Sequence, residues 1–218
     1  MSRKQKNVLA VGAHADDVEI GCGGTIALHA KRGDNVILLI MSESSYTYYD
    51  GKVLRTKEEA ELEEKNAAKI LGVKKLINLG FKCKEVPYSV ESIEAINRVI
   101  DKYKIDIIYT HWYHDTHQDH RRTTQAVLSA GRYVKNILMY EPEYPAGRSY
   151  SGFRNQYYVD ITSTFEIKME ALKQHKSQIK KYGNDFLEAV EARARHRGYE
   201  IGSKYAECFE VVRLLGEI

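Results

Sequence analysis

Cysteine is scarce in this sequence, with three residues in a chain of 218. Cys22, Cys83 and Cys208 are scattered along the chain without paired spacing. The pattern therefore indicates neither a disulfide framework nor a cysteine zinc site. We expect the three thiols to be small buried side chains or groups that take no part in chemistry.

Long apolar runs are also missing. Residues 1–6 are mostly polar, and the apolar run that follows them is too short for the hydrophobic region of a signal peptide. No later run reaches the length of a membrane span. We therefore expect a cytoplasmic protein without a membrane partner.

Charge of one sign is not in large excess, because the formal net charge is +3. Lys and Arg are interleaved with Asp and Glu, so the sequence has no basic stripe of the kind that neutralises phosphates. Nucleic acid is therefore not an expected partner.

Strand-like and helix-like segments alternate along most of the chain. Short β-branched apolar runs predict buried strands, and apolar residues at helical spacing predict the helices between them. This alternation favours right-handed crossovers and parallel strands. The expected fold class is α/β: a single Rossmann-like domain, 1–218, with a mostly parallel sheet and helices on both faces.

The same patterns give the element boundaries. The expected strands are residues 7–13, 35–41, 75–80, 105–112, 136–141, 157–161 and 206–215, the last as an edge strand. The expected helices are residues 25–32, 56–71, 90–104, 121–134, 163–182 and 185–197. The polar segments 42–51 and 143–156 are expected to be loops over the mouth of a site.

The first predicted strand is followed by His14, Asp16 and Asp17. Ligands of open α/β sheets bind outside the carboxyl ends of the strands, so these side chains occupy the expected position of a site. Neutral imidazole and carboxylate suit zinc, and a catalytic zinc site keeps one position open for water. His14 and Asp17 could therefore face one metal ion, which needs a third ligand.

A second group of histidines and acids lies about a hundred residues later, at the end of the predicted strand 105–112. Its members are His111, His114, Asp115, His117, Asp119 and His120. Two buried strands that end in the same kinds of residue imply that their ends converge in space. This group is the expected source of the third ligand.

The segment from Gly12 to Thr25, taken with the segment from His117 to His120, resembles the zinc-dependent N-deacetylases of the PIG-L/LmbE-like family. Similar stretches follow at residues 67–73, 158–162, 168–172, 175–178 and 205–209. The first motif is most similar to that of the bacillithiol-pathway deacetylases, which act on N-acetylglucosaminyl malate. The resemblance implies a hydrolase that removes the acetyl group from an N-acetylated amino sugar or its conjugate, releasing acetate and a free amine.

The resemblance also implies a metal site. His14, Asp17 and His120 match the metal positions of the family, which implies one Zn²⁺ per subunit. Iron and other divalent metals can occupy such sites in place of zinc. The family relationship further implies a small N-acetyl sugar as the substrate and a homo-oligomer as the assembly.

Two further residues of the two motifs receive roles from the resemblance. Asp16 matches the general base of the family. His117 matches the group that stabilises the oxyanion or protonates the leaving amine. Asp115 and Asp119 would then fix the tautomers of the histidines.

Substrate recognition departs from the family pattern. Family members commonly carry an Arg in the helix before a Leu-Gly pair, and the matching position here is Ala60. Arg55 is the nearest replacement, and Arg148 in the later loop is a second candidate for an anion contact. The missing Arg argues against a malate-linked or similarly anionic substrate.

Plainer interpretations stay open for several of these residues. His14, Asp16 and Asp17 could be a core histidine and two acids that favour a helix N-terminus. His111 and His114 are expected to have structural or surface roles. Three isolated histidines in predicted helices are expected to be solvated: His29, His175 and His196.

Two other functions also stay open. One is a metal-dependent amidase that acts on an acyl amine without a sugar, and the other is a sugar-binding module with a vestigial site. The glycine-rich segment 21–25 does not favour nucleotide binding, because it lacks the G-x-G-x-x-G spacing and the Lys of a P-loop. It is expected to provide a tight turn and close helix packing.

Overall fold

A seven-stranded sheet forms the centre of the computed structural model, which describes residues 4–143 and 147–215. A separate two-stranded hairpin lies outside this sheet. The strands are Asn7–Gly12 (β1), Asn35–Ser42 (β2), Tyr46–Thr47 (β3), Val53–Arg55 (β4), Lys75–Phe81 (β5), Ile107–Thr110 (β6), Asn136–Tyr140 (β7), Tyr157–Asp160 (β8) and Ala206–Arg213 (β9). The order across the sheet is β5-β2-β1-β6-β7-β9-β8, and β3 pairs with β4 in the hairpin.

Helices connect most of these strands. Those of the described residues are Asp17–Lys31 (α1), Lys57–Leu71 (α2), Val90–Tyr103 (α3), Gln118–Ala130 (α4), Phe165–Leu172 (α5), Lys176–Tyr182 (α6) and Asp185–Glu200 (α7), with one 3₁₀ turn at Gly131–Tyr133. None of these helices has both the length and the apolar composition needed to cross a membrane.

The sheet is mostly parallel. Parallel pairing joins β5, β2, β1, β6 and β7, whereas β9 runs antiparallel to both β7 and β8. In β1, Val8 lies opposite Val36 on one side and Ile107 on the other. The chain proceeds from β1 to β2 on one side and later crosses to β6 on the other, so the strand order reverses between β1 and β6. Ligands of open α/β sheets bind at this reversal.

Both faces of the sheet are covered by helices, which confirms the α/β class. Alternate residues of β1 face opposite sides: Val8 and Ala10 pack in a core with α1, α2 and α5, and Leu9 and Val11 pack in a core with α3 and α4. All four side chains are fully buried. Full burial of a Val or Leu side chain contributes about 1.5–3 kcal/mol, so both cores hold β1 in place.

Helix α1 begins earlier than the sequence predicts, at Asp17 instead of near Thr25. The glycines lie inside the helix, where Gly21 packs on Tyr140 so closely that an added Cβ would lie 2.2 Å from the ring. The helix is irregular at Cys22, with φ −149°. Buried Glu207 then accepts the N–H groups of Gly24 at 2.9 Å and Thr25 at 2.7 Å. The segment therefore serves close helix packing, as expected, but not a turn outside the helix.

Three other features of the fold differ from the predictions. The helix predicted over 163–182 is two helices, because the chain turns at residues 173–175 between α5 and α6. Helix α4 begins at Gln118 instead of residue 121. The last strand is not an edge strand: β9 pairs on both sides, and β8 is the edge. Alternation of polar and apolar residues cannot distinguish these two positions in a sheet.

Candidate active site

The two sequence motifs meet at the reversal between β1 and β6. His14 follows β1, Asp17 begins α1, and His120 lies in the first turn of α4. His14 Nδ1 lies 3.5 Å from Asp17 Oδ2, and His120 Nε2 lies 3.4 Å from Asp17 Oδ1. His120 Nε2 and His14 Nδ1 are 3.3 Å apart. The structure thus brings the three predicted metal ligands together.

Each separation is close to that expected for two ligands of one tetrahedral ion, but His14 and His120 are measured to different oxygens of Asp17. Ligand atoms at about 2.0–2.1 Å from zinc lie about 3.3–3.4 Å from one another when the angles are tetrahedral. Two imidazoles and a carboxylate are also a donor set that zinc and other borderline divalent ions accept. The chemistry of the three side chains therefore fits the metal that the sequence predicts, and a shared ion requires one oxygen of Asp17 to face both imidazoles.

Two buried carboxylates face the outer nitrogens of the two histidines. His14 Nε2 lies 3.0 Å from Asp119 Oδ2, and His120 Nδ1 lies 2.8 Å from Asp115 Oδ2. An ionised carboxylate only accepts hydrogen bonds, so each outer nitrogen carries the ring proton. The inner nitrogens then direct their lone pairs at the space between His14, Asp17 and His120.

The electrostatics of the cluster favour positive charge at its centre. Burial alone would lower the pKa of His14, but hydrogen bonds with Asp119 and Asp17 raise it well above its usual value. Burial would also lower the pKa of His120, but the negative charge of Asp17 raises it to about 9. Burial would raise the pKa of Asp17, but the His120 imidazole holds it well below its usual range. Such a cluster attracts a proton or a metal cation, and metal binding releases the protons.

Asp16 stands between two of the predicted ligands in sequence and has a strained backbone. Its φ is 116°, and its side chain makes no capping hydrogen bond to α1. A positive φ at a residue other than glycine costs on the order of 1–3 kcal/mol and is found at functional sites where the surroundings enforce it. The carboxylate lines the cavity above the cluster. Burial raises the pKa of Asp16 to about 6, against the opposing charge of Arg55.

His117 caps the N-terminus of α4. Its Nδ1 accepts the backbone N–H of Asp119 at 3.2 Å, so the ring proton of the neutral form lies on Nε2. Burial and the neighbouring His120 and His14 lower the pKa of His117 to about 4, which keeps the ring neutral near pH 7. Its ring centroid lies 4.9 Å from that of His14 and 4.6 Å from that of His120. His117 therefore offers a neutral N–H donor beside the cluster, although its nitrogen also lies within reach of a metal held by those two histidines.

A cavity of about 670 Å³ opens above these residues. Its volume falls within the usual range of small-molecule sites. The β3–β4 hairpin, α6, α7 and the segment after β7 build its outer walls. Representative wall residues are Tyr46, Lys181, Tyr182, Phe186, Pro142 and Glu143. The predicted loop 42–51 therefore contributes to the cavity, while residues 144–146 of the second predicted loop lie outside the described residues.

The two arginines predicted as substrate contacts differ in position. Arg55 lines the cavity but is 4% exposed, and it donates from Nε to Ser44 O at 2.7 Å and from Nη1 to Ala15 O at 3.1 Å. Much of its donor capacity is thus already used by the backbone. Arg148 is exposed, and the described residues that line the cavity do not include it. Ala60, at the position of the family Arg, is buried in α2.

His111 and His114 lie on the same segment but in different surroundings. His111 is buried, accepts the Ala13 N–H at 2.9 Å and stacks on His120 with 3.9 Å between ring centroids. His114 contacts Trp112 and Tyr150 at ring distances of 5.5 and 5.9 Å, away from the described cavity lining. The contacts of His114 are those of a structural or surface residue. His111 instead lines the cavity, lies 3.1 Å from Asp17 Oδ2 and forms with Asp17 and His120 a group that could hold a metal ion.

The prediction of solvated histidines holds for His196, whose side chain is largely exposed, and is wrong for two others. His29 is buried, with Nε2 2.9 Å from the Tyr109 hydroxyl. His175 is fully buried at the start of α6, 3.8 Å from Glu19 and 4.0 Å from Glu63. Charged neighbours in sequence suggested solvent, but the histidines occupy the inner faces of their segments.

The fold and the donor set define an α/β protein with a candidate metal centre at the carboxyl edge of its sheet. The PIG-L family, described as GlcNAc-PI de-N-acetylase, matches residues 9–131. The chain belongs to this family and is a deacetylase of the PIG-L type.

Relatives of known sequence and structure agree with this assignment. The chain is 34% identical to the diacetylchitobiose deacetylase of Thermococcus kodakarensis, over 93% of this chain and 81% of that protein. It is 32% identical to the uncharacterized deacetylase YaiS of Escherichia coli K12, over 81% of this chain and 94% of that protein. The solved N,N'-diacetylchitobiose deacetylase from Pyrococcus horikoshii, in complex with its inhibitor MPG, superimposes with a TM-score of 0.77 at 27% identity. That match covers 95% of this chain and 84% of the other.

Proposed function

We propose that this chain is a zinc-dependent deacetylase that removes the acetyl group from an N-acetylated amino sugar of the N-acetylglucosamine type, releasing acetate and a free amine. The observation that carries the proposal is the convergence of donor atoms from His14, Asp17 and His120 beside the carboxylate of Asp16. The names of the two diacetylchitobiose deacetylases support a sugar as the substrate.

In this proposal, His14 Nδ1, Asp17 Oδ1 and His120 Nε2 hold the ion. Asp119 and Asp115 keep the two rings in the tautomer that leaves these nitrogens unprotonated. A bound zinc ion would polarise the acyl carbonyl and lower the pKa of a coordinated water to about 7. Loading the site releases the protons of the cluster and brings Asp17 Oδ1 to face both imidazoles, because His14 Nδ1 is measured to the other oxygen of this carboxylate.

Asp16 is the proposed general base. Its carboxylate faces the cavity and is not used in capping α1, so it can take the proton of the attacking water. The same group can then pass this proton to the leaving nitrogen, which departs as the free amine. Burial raises the pKa of Asp16 to about 6, which favours the protonated form that returns the proton, whereas a cation held by Asp17 would lower the pKa and favour the carboxylate that accepts it.

His117 is the proposed donor to the acyl oxygen. Negative charge develops on that oxygen as the carbonyl carbon becomes tetrahedral. The Nε2–H group of His117 can donate a hydrogen bond to it while the ring stays neutral, since the pKa of about 4 disfavours the imidazolium. Loss of one such donor commonly reduces turnover by about 10²–10³-fold.

We further propose that residues 1–218 act as a single domain. The homo-oligomer and the cytoplasmic location stay predictions from the sequence.

The proposed activity is tested with purified protein and the methyl glycoside of N-acetylglucosamine. Protein loaded with one equivalent of zinc is expected to release acetate, and removal of the metal with a chelator is expected to stop this release. Asp16→Asn is expected to keep the metal and lose turnover by about 10²–10⁴-fold. Asp101→Asn, an exposed acid in α3, is the matched control and should behave as the unmodified protein.

The outcome also separates the remaining alternatives. Acetate release from simple N-acetyl amines but not from acetyl sugars would favour an amidase without a sugar substrate. Sugar binding without any acetate release from zinc-loaded protein would favour a binding module. Undiminished turnover in Asp16→Asn would remove Asp16 from its role.

A further inference from the structure

The loop that carries Asp16 is bonded to a second residue with a strained backbone. Asp16 has φ 116°, and Ser44, in the segment after β2, has φ 59°. Both side chains are buried, and the Ala15 N–H donates to Ser44 Oγ at 2.9 Å. Residues other than glycine seldom adopt a positive φ, and the conformation persists only where the surroundings enforce it. Two such residues in linked segments therefore need support from their neighbours.

Arg55, at the end of β4, bonds to both segments. Its Nε donates to the carbonyl oxygen of Ser44 at 2.7 Å, and its Nη1 donates to that of Ala15 at 3.1 Å. The Ala15 carbonyl belongs to the peptide bond that joins Ala15 to Asp16. The guanidinium group is planar and rigid, so its two bonds fix the two carbonyls relative to each other. Arg55 thus holds the backbone in the conformation that sets the direction of the Asp16 side chain.

Arg55 is itself held in place by a buried acid. Its side chain is buried, and its Nη1 lies 3.9 Å from Glu63 Oε2 in α2. Glu63 is also buried, and it accepts the N–H and hydroxyl groups of Ser177 at 2.7 Å each. Solvent screens buried charges little, so the attraction between Arg55 and Glu63 restricts the guanidinium group. The position of Arg55 is therefore set by the protein and does not depend on a bound substrate.

The charge of Arg55 also acts on Asp16. The positive guanidinium group lowers the pKa of Asp16, against the larger effect of burial. It therefore favours the carboxylate, which is the form that accepts a proton. The hydrogen bonds and the charge of Arg55 thus support the same role of Asp16.

Contact with the substrate is the alternative role for Arg55, because the residue lines the cavity. The Arg that family members carry matches Ala60 in α2, so Arg55 does not occupy that position. Two of the five N–H groups of Arg55 are directed at backbone carbonyls of the protein. A guanidinium group bound in this way cannot turn to follow a substrate without breaking these bonds. The contacts of Arg55 therefore favour a role in positioning.

We propose that Arg55 is a positioning residue for the catalytic base: by holding the Ala15–Asp16 peptide bond, it keeps the Asp16 carboxylate directed into the cavity. This inference rests on the proposed deacetylase function. It revises the expectation that Arg55 contacts the substrate in place of the family Arg. The β3–β4 hairpin then has two roles, because Tyr46 lines the cavity and its partner in the hairpin, Arg55, supports the base.

The proposal is tested by steady-state kinetics of zinc-loaded variants on the methyl glycoside of N-acetylglucosamine. Arg55→Met removes both hydrogen bonds, so kcat is expected to fall about 10–100-fold because Asp16 is displaced. KM should change less than about twofold, since the substrate does not contact Arg55, and the variant should still bind one equivalent of zinc. Arg55→Lys keeps the charge and one donor, so it should recover part of the loss. Arg98→Met, an exposed arginine of α3, is the control and should match the unmodified protein.

A double-mutant cycle shows whether Arg55 acts through Asp16. Asp16→Asn removes the base, so the position of this side chain no longer matters for proton transfer. Arg55→Met is therefore expected to lower kcat less than about threefold in the Asp16→Asn background, against about 10–100-fold in the unmodified protein. A general distortion of the fold would lower kcat by the same factor in both backgrounds. If Arg55→Met does not fold, the same cycle with Arg55→Lys decides the question, and its smaller loss should vanish in the Asp16→Asn background.

Two results would overturn the inference and leave the deacetylase function standing. A higher KM at unchanged kcat in Arg55→Met would identify Arg55 as a substrate contact. Equal losses of kcat in both backgrounds would show that Arg55 does not act through Asp16. Absence of acetate release from the folded, zinc-loaded unmodified protein would instead overturn the deacetylase function itself, and the role of Arg55 with it.

Discussion

Asp119 connects His14 with the loop that follows β5. Its Oδ2 lies 3.0 Å from His14 Nε2 and accepts the N–H of Lys84 at 2.6 Å, while its Oδ1 accepts the N–H of Val86 at 3.2 Å. The side chain is fully buried. One carboxylate therefore orients a predicted metal ligand and fixes the backbone conformation at Lys84.

Removal of this carboxylate is expected to weaken metal binding. Asp119→Ala leaves the outer nitrogen of His14 without its acceptor, so the ring loses its fixed tautomer and orientation. Zinc affinity should fall about 10–100-fold, as measured by competition with a chelating dye. The zinc affinity of Asp119→Asn should fall less, because the amide oxygen can still accept one hydrogen bond. A folded Asp119→Ala variant with unchanged zinc affinity would show that His14 is oriented by other contacts.

The substitution His117→Ala separates two interpretations of this residue. If His117 donates to the acyl oxygen, the variant should keep one equivalent of zinc, lose about 10²–10³-fold in kcat and change KM little. If His117 is instead a metal ligand together with His14 and His120, zinc content should fall along with activity. Metal analysis and steady-state kinetics on the same sample decide between the two, and our account predicts the first result.

Gly21 is expected to be intolerant of any side chain. A Cβ at this position would lie 2.2 Å from the Tyr140 ring, and Tyr140 is itself held by a hydrogen bond from its hydroxyl to Val11 O at 3.0 Å. Gly21→Ala should therefore lower the free energy of unfolding by about 1–3 kcal/mol in urea denaturation. Gly152→Ala is the matched control, since a Cβ there would meet no atom within 4 Å. Equal stability of the two variants would contradict the packing of Gly21 on Tyr140.

Glu64 is expected to make stability depend on pH. The side chain is 3% exposed, and burial raises the pKa of Glu64 from 4.5 to about 7 against the opposing hydrogen bond from Asn78. Between these two values the folded protein binds more protons than the unfolded chain. The stability gained by keeping Glu64 protonated in the folded protein is therefore complete below about pH 4.5 and is lost as the pH rises through about 7.

Glu64→Gln, which resembles the protonated form, should abolish this dependence. Its free energy of unfolding should exceed that of the unmodified protein by on the order of 1–3 kcal/mol at pH 8, and the difference should shrink toward pH 5. Urea denaturation at the two pH values measures the effect, with the exposed Glu94→Gln as the control. A difference that does not change with pH would show that Glu64 stays ionised in the folded protein.

The sequence predicts where the cluster of His14, Asp17 and His120 lies better than it predicts which residues surround that cluster. His14, Asp17 and His120 could be located because each motif follows a buried strand, and parallel strands align their carboxyl ends at one edge of a sheet. The burial of both faces of β1 also followed from its continuous apolar run. These features depend on short segments whose pattern reports the local environment.

Features that depend on the approach of distant segments could not be predicted in this way. Lys84 and Lys181 carry no recognisable pattern, and each lies over the ring of Tyr46 because the β3–β4 hairpin packs near the loop after β5 and near α6. His175 has charged neighbours, and its burial results from the break between α5 and α6. That break allows Glu63 of α2 to accept the Ser177 N–H and hydroxyl at 2.7 Å each.

The central claim is that His14, Asp17 and His120 hold one zinc ion, and anomalous diffraction from crystals of zinc-loaded protein tests it most directly. The account predicts one anomalous peak per chain at the zinc edge, about 2.0–2.1 Å from His14 Nδ1, Asp17 Oδ1 and His120 Nε2. A peak held by other residues, or no peak between these three side chains in protein that contains one equivalent of zinc, would contradict it.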